Sequence, residues 1–445
     1  RRQRQMCIRD RVCLRKEEAH LKILSHIVDV KGGCKKFMGE FFDKLETRSD
    51  DERSSDLSKS IPLQIKNAKE NSKAFSKILA DVDPSEINSV EDLTKLPVLR
   101  KSELVRLQAQ DPPLGGLISG SIQDLNQIFQ SPGPIYEPGM VKKDWWRSAR
   151  ALNAAGIGKG DIVQNCFSYH FTPAGMLSEQ GILAVGATVF PAGTGQTELQ
   201  ARAASEIGVT AYIGVPDFLQ IILEKGDELG LDLSKIKKAL VGGGPLFPKT
   251  RQSYKERGIM CLQNYGTADL GNVAYETVAD APMVVDEGVI VEIVTPGTGD
   301  PVAEGEIGEV LVTSLNADYP LIRFATGDLS AVAPGKSECG RTNMRIVGWR
   351  GRADQTTKIK GMFVRPEQVA DLVGRSSEIK KARVNVTRSD NNDIMTVLLE
   401  IEGDMNKDYN SMVKEILKLK GDVELVTPGS LPNDGKVIDD QRTFD

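Results

Sequence analysis

The chain is poor in several features, and each shortage closes off a class of protein. No apolar run approaches the ~20 residues that a membrane-spanning helix needs, and no apolar core followed by a small-residue cleavage site opens the sequence. A cytoplasmic address is expected. Histidine is scarce, with only His20, His26 and His170, and the six cysteines are scattered without a Cys-x-x-Cys pair. Neither a disulfide framework nor a structural zinc site is expected from such a set. Charge of one sign is also lacking: the net charge is −5, and Lys and Arg are spread along the chain. That pattern argues against nucleic acid or an anionic membrane as the main partner. Aromatic residues make up only 5% and do not by themselves mark out a binding pocket.

What is present is an ordinary globular composition, 40% hydrophobic and 27% charged, in 445 residues. That length exceeds what one core usually serves, so two or more domains are expected. The first eleven residues, from Arg1 to Arg11, resemble translated adapter sequence, with a basic disordered tail as the alternative. They are set aside from the fold reasoning. Residues from about 12 to 110 are charged and carry apolar residues at helical spacing. Within them Ser89, followed by Glu91 and Asp92, signals a helix start, and Pro97 a stop. From about 120 to 280, strand signals alternate with amphipathic segments. Leu125–Gln130, Ile162–Phe167, Thr188–Pro191, Ala211–Val215, Ala239–Gly242 and Met260–Asn264 read as strands. Lys143–Ala155, Pro173–Leu183, Thr197–Glu206 and Phe218–Lys225 read as helices between them. This alternation predicts an α/β domain built from βαβ units. A Val- and Ile-rich stretch broken by Gly and Pro, from about 284 to 350, predicts a small antiparallel β region. The last ninety or so residues predict a compact α+β unit.

Four segments stand out against that background. Asn264-Tyr265-Gly266-Thr267-Ala268-Asp269 follows a strand signal and reads locally as a glycine turn. The eleven-residue run Tyr319-Pro320-Leu321-Ile322-Arg323-Phe324-Ala325-Thr326-Gly327-Asp328-Leu329 reads as a turn with a capping Asp. Gly351-Arg352-Ala353-Asp354 leads into Lys358-Ile359-Lys360-Gly361, whose lysines alternate like the solvent face of a strand. Near the end comes Pro428-Gly429-Ser430-Leu431-Pro432-Asn433-Asp434-Gly435-Lys436, locally a solvated loop.

Taken in order, these segments resemble the motifs of the adenylate-forming (AMP-binding) superfamily, and in particular its phenylacetate–coenzyme A ligases. The resemblance covers the chain from about Ser85 onward. It implies a large N-terminal domain of parallel and mixed sheets with helices and a small β region, then a small α+β lid. The division falls at 12–350, a hinge at 351–354, and 355–445. It also implies ATP, Mg²⁺ and coenzyme A as ligands, a small carboxylic acid as substrate, and a possible homodimer. Residue by residue, Tyr265, Gly266 and Thr267 match positions facing the nucleotide, and Asp269 matches the carboxylate that binds Mg²⁺. A hard cation between an acid and a phosphate cancels both charges. Asp328 matches the acceptor for the ribose hydroxyls and Arg352 a donor to ribose and phosphate. Asp354 matches the hinge residue, and Lys358, Lys360 and Gly361 the stretch facing nucleotide and coenzyme A in the thioester-forming pose. Lys436 matches the catalytic lysine, a cation that bridges the anionic acid and phosphate. Gly243, Gly244 and Pro245 resemble the turn bordering adenine, and Ser168–Thr172 the stretch beside the acyl pocket, a buried His170 being the plainer alternative.

Asp269 stands where the family usually has Glu, and the pattern departs further at two places. The Ser/Thr/Gly-rich phosphate loop is replaced by Phe129–Gly139, with three prolines and Glu137; proline removes amide donors and stiffens the turn. Ala268 also takes the place of a hydroxyl residue. The leading expectation is therefore an aryl- or arylacetyl-CoA ligase working through acyl-AMP. Two alternatives stay open: an adenylating enzyme with another acceptor, and a degenerate nucleotide-binding homologue.

Overall fold

In the computed structural model the described residues are 41–442, apart from 133, 245, 356, 360–361, 390–391 and 433–435. The adapter-like start lies outside them, as do Pro245, Lys360 and Gly361.

A nine-stranded sheet forms the centre. Its first five strands in the chain, Ile162–Asn165, Thr188–Phe190, Ala211–Gly214, Lys238–Val241 and Met260–Thr267, pair in parallel. Strands covered on both faces read as near-continuous apolar runs, and all four residues of Ala211–Gly214 are buried. The helices Ala174–Ala184, Thr197–Ile207, Pro216–Glu228 and Pro248–Glu256 make the crossovers. Their ends follow local rules. Pro216 and Pro248 sit at the first turn of their helices, where a missing amide costs nothing. Gly208 stops Thr197–Ile207 in a left-handed conformation (φ 73) that an L side chain rarely adopts. Beyond Met260–Thr267 the sheet turns antiparallel through Gly271–Tyr275 and Met283–Val285.

A second sheet holds Val289–Val294, Gly308–Ser314 and Phe324–Ser330 in antiparallel order, all but Gly327 buried. Its edge is the parallel pair Leu99–Arg100 with Phe324 and Ala325, so the small β region borrows a strand from the preceding segment. The main core lies between these layers and the helix Asp50–Asn71, which contributes Ile61, Ile65 and Ala68. A separate hydrophobic core is drawn from Ile359 to Ile438. There the helices Pro366–Arg375 and Asn410–Leu417 accompany a four-stranded sheet. Ile379–Ser389 and Asn392–Ile401 form its antiparallel middle. No helix among the described residues is long and apolar enough to cross a membrane.

Two helices differ from expectation for local reasons. The expected helix Lys143–Ala155 begins only at Ala149. Asp144 (φ 50) and Arg147 (φ 64) take left-handed backbones, and the Asp144 carboxylate accepts from the amides of Ser148 and Ala149. The Ser89 segment forms only a 3₁₀ turn, Glu91–Lys95, although the Ser89 hydroxyl does accept from the Asp92 amide at 3.2 Å. Leu96 precedes Pro97 and is forced extended (φ −90, ψ 148).

Candidate active site

Two cavities open at the carboxyl ends of the parallel strands, where ligands of open α/β sheets usually bind. The first, about 630 Å³, is lined by Gly243, Gly244, Tyr265, Gly266, Asp328 and Trp349 among others. The second, about 700 Å³, is lined by Phe167, Leu177, Ile213, Val215, Phe218 and Leu240 with several small polar residues. Gly243, Asn264 and Gly266 belong to both walls, so the chambers adjoin.

Asp328 is the polar centre of the first chamber. Tyr265 donates its hydroxyl to Oδ2 at 3.0 Å, while Trp349 Nε1 (3.1 Å) and Arg352 Nη1 (3.3 Å) donate to Oδ1. Burial, reinforced by the Asp328 charge, pushes the Tyr265 phenol well above its ordinary range; it therefore stays protonated and acts as a donor. Gly327 makes this arrangement possible. Its backbone is left-handed (φ +75), and a Cβ there would stand 2.9 Å from Arg352 Nη2. Gly266 has an equally specific reason: a Cβ would meet the Gly271 carbonyl at 2.4 Å, where the strand register shifts. Arg251 and Glu276, paired at 2.7 Å, form another part of this wall.

In the second chamber Thr267 and Ala268 contribute to the wall, with Ser168 and Thr172. The Thr267 hydroxyl already accepts from the Leu270 amide at 3.2 Å. His170 is exposed rather than buried, and Phe171 points outward with 76% of its surface accessible. The aromatic stretch thus meets the cavity through its ends and not through its rings.

Asp269 stands behind the wall rather than on it. Its side chain is fully buried, Lys101 Nζ donates to Oδ2 at 2.6 Å, and Oδ1 has no partner. The altered loop Phe129–Gly139 folds as a hairpin, Gln127–Ser131 against Ile135–Gly139. Glu137, expected to bring charge near the phosphates, is wholly buried and accepts from the Ser131 hydroxyl. Desolvation raises its carboxyl to about 7.

Lys436 is exposed, sits 3.3 Å from Asp439 and lines neither cavity. The residue next to the expected hinge is tied to that segment, because Gln355 Oε1 accepts from the Val437 amide at 2.8 Å. Asp354 lies in a 3₁₀ turn, Ala353–Gln355, and Lys358 in the strand Thr357–Ile359. The geometry therefore gathers Gly243, Gly244, Tyr265, Gly266 and Asp328 at one chamber, with Arg352 bonded to Asp328, and leaves Lys436 outside it.

Lys101, Trp349 and the Arg251–Glu276 pair were not legible as site residues. Lys101 is 168 residues from its partner, and no local pattern marks it.

The AMP-binding enzyme family profile matches residues 142–317. The chain is 28% identical to phenylacetate–coenzyme A ligase of Escherichia coli (strain K12), over 91% of this chain and 97% of that protein. It is 26% identical to phenylacetate–coenzyme A ligase of Pseudomonas putida, over 81% and 85% of the two. In fold it is similar to 2-hydroxyisobutyryl-CoA ligase in the postadenylation state, with a TM-score of 0.75 at 21% identity, covering 89% of this chain and 91% of that one. The chain thus carries the profile of AMP-binding enzymes over residues 142–317 and is similar along nearly its whole length to phenylacetate–coenzyme A ligases.

Proposed function

We infer that the protein is an AMP-forming acid–coenzyme A ligase acting on an aryl or arylacetic acid. ATP and the acid give acyl-AMP and pyrophosphate, and coenzyme A then takes the acyl group as a thioester. The observation that carries this reading is the pair of adjoining chambers, one polar around Asp328 and one apolar, meeting at Gly243, Asn264 and Gly266. A carboxylate at the shared wall has a nucleotide chamber on one side and room for an apolar body on the other.

In this reading Asp328 uses its remaining acceptor capacity for the ribose, since a carboxylate offers about four lone-pair sites and three are engaged. Tyr265, Gly243 and Gly244 shape the base site, and Arg352 stands beside ribose and phosphate. Lys436 enters when the backbone at Asp354 rotates, and its charge offsets the anionic carboxylate and phosphate as they approach. We divide the chain accordingly into 12–350, the hinge 351–354 and a lid 355–445, with Lys358, Lys360 and Gly361 serving the thioester pose. A cytoplasmic enzyme fits the substrates, and a homodimer belongs to the same proposal.

The residues present fit a magnesium ion. Asp269 Oδ1 and Glu137 Oε2 are buried hard oxygens without partners, and Mg²⁺ is typically held by one or two carboxylates plus phosphates. Bound there, the ion supplies Lewis-acid polarisation of phosphate oxygens. Lys101 holds Asp269 in place meanwhile.

ATP–pyrophosphate exchange against a panel of aryl and fatty acids tests the reading, with thioester formation followed by mass spectrometry. An aromatic acid should support both. Lys436→Ala should lower exchange by about 10²–10³-fold while sparing thioester formation from supplied acyl-AMP. Nucleotide binding without exchange for any acid would overturn the ligase reading and favour a degenerate binding protein.

A further inference from the structure

The larger cavity is lined, among the described residues, by no Asp, Glu, Lys, Arg or His. A second carboxylate or an amine on the acid would find no counter-charge there, and burying an unpaired charge is costly. Against this apolar background two buried polar atoms have no hydrogen-bond partner: Ser148 Oγ and Asn272 Nδ2, on residues 2% and 1% exposed.

Three polar residues of the same lining are already engaged. Ser131 donates to Glu137, Ser168 Oγ to the His170 carbonyl, and Asn264 Nδ2 to Asn272 Oδ1 at 3.1 Å. The last bond orients the Asn272 amide, leaving its NH₂ end without an acceptor. Both residues are held by rigid elements. The Asn272 amide nitrogen of the main chain donates to the Trp146 carbonyl at 2.9 Å, two residues before Ser148. The Ser148 main chain is fixed by Asp144 at 2.7 Å, and the helix Ala174–Ala184 packs so closely that a Cβ at Gly181 would lie 2.5 Å from Ser148 Cβ. Two unsatisfied groups on a fixed frame in one chamber constitute a preorganised polar anchor.

We propose that this chamber selects an acid carrying a neutral oxygen substituent on its apolar body, a hydroxylated aryl or arylalkyl acid, through Asn272 Nδ2 and Ser148 Oγ. The inference rests on the ligase reading above and deepens it. The amide donates to the substituent oxygen; the serine hydroxyl either donates to it or accepts its proton. An unsubstituted ring leaves both groups buried and unpaired, which is the arrangement that makes a polar site reject an analogue.

The test compares kcat/KM of the full chain for phenylacetate and for its ortho-, meta- and para-hydroxy derivatives. One positional isomer should exceed phenylacetate by at least about ten-fold. In Ser148→Ala and in Asn272→Leu that ratio should fall, to below about two-fold when both groups are removed. The wild-type ratio decides even if Asn272→Leu folds poorly, and Ser148→Ala removes only one oxygen. Phenylacetate used as well as every isomer, as when water satisfies both groups, overturns the proposal, as does a preference that both variants leave unchanged. Failure of all acids to support exchange overturns the ligase reading instead, so the two failures are distinguishable.

Discussion

Replacing Glu137 by Gln should stabilise the protein at neutral pH and leave it unchanged in acid. The carboxyl is fully buried, one oxygen accepts from Ser131 and the other has no partner. Desolvation, with the Asp269 charge adding to it, lifts its pKa from 4.5 to about 7 against the pull of Ser131 and Lys101. Between those two values the folded protein keeps a proton that the unfolded chain has released. Stability therefore falls as pH rises through that window, and the loss is complete above about pH 7. At about 1.4 kcal/mol per pH unit, the gap amounts to roughly 3 kcal/mol. The side-chain amide introduced by Glu137→Gln can still accept from Ser131 and presents no second anion to Asp269. Urea unfolding of both proteins from pH 4 to pH 8 provides the assay. Trp146 packs edge-on against Phe129 of the same hairpin at 5.9 Å, so its fluorescence reports the region directly. The variant's advantage should approach roughly 3 kcal/mol at pH 8 and vanish near pH 4. An advantage that does not change with pH, or a variant weaker at pH 8, would refute the reasoning.

Arg323→Met should cost about 3–5 kcal/mol in the same unfolding experiment, because it strands the buried Glu292. Pairing it with Glu292→Met should recover much of that loss, and failure to recover would show that the clamp is not an isolated ion pair. Asp328→Asn should raise the KM for ATP by about ten- to hundred-fold in pyrophosphate exchange. An unchanged KM with a lowered melting temperature would assign Asp328 a purely structural role.

The features legible in the sequence were those written in contiguous stretches. The parallel strands announced themselves because burial on both faces removes polar alternation, as in Ala211–Gly214. Tyr265 and Asp328 were legible because each sits in a short motif beside a glycine that its turn requires. Long-range electrostatics left no such trace. Arg323 looks like a surface residue by type, yet it is 2% exposed. Its guanidinium donates to Glu292 and to the carbonyls of Leu96 and Gly299, holding a left-handed backbone (φ 43) in place. The arginine of the longest motif is thus a structural clamp between layers. The hairpin Gln127–Gly139 was legible only as a departure; that it would bury Glu137 beside Lys101 and Asp269, which come from elsewhere in the chain, left no local trace.

The partition built from Gly243, Asn264 and Gly266 has a bearing on how this protein can be retuned. It is a party wall: each of its three residues borders both rooms. A Cβ at Gly242, just beside it, would already strike the Asn264 side chain at 2.4 Å. On the ligase reading, changes at that boundary bear on acid selectivity and nucleotide affinity together. They come apart at residues that line the apolar chamber alone, Ser148, Leu177 and Phe218 among them. Redesign for a new acid should begin there, and natural divergence among proteins of this architecture should concentrate there too.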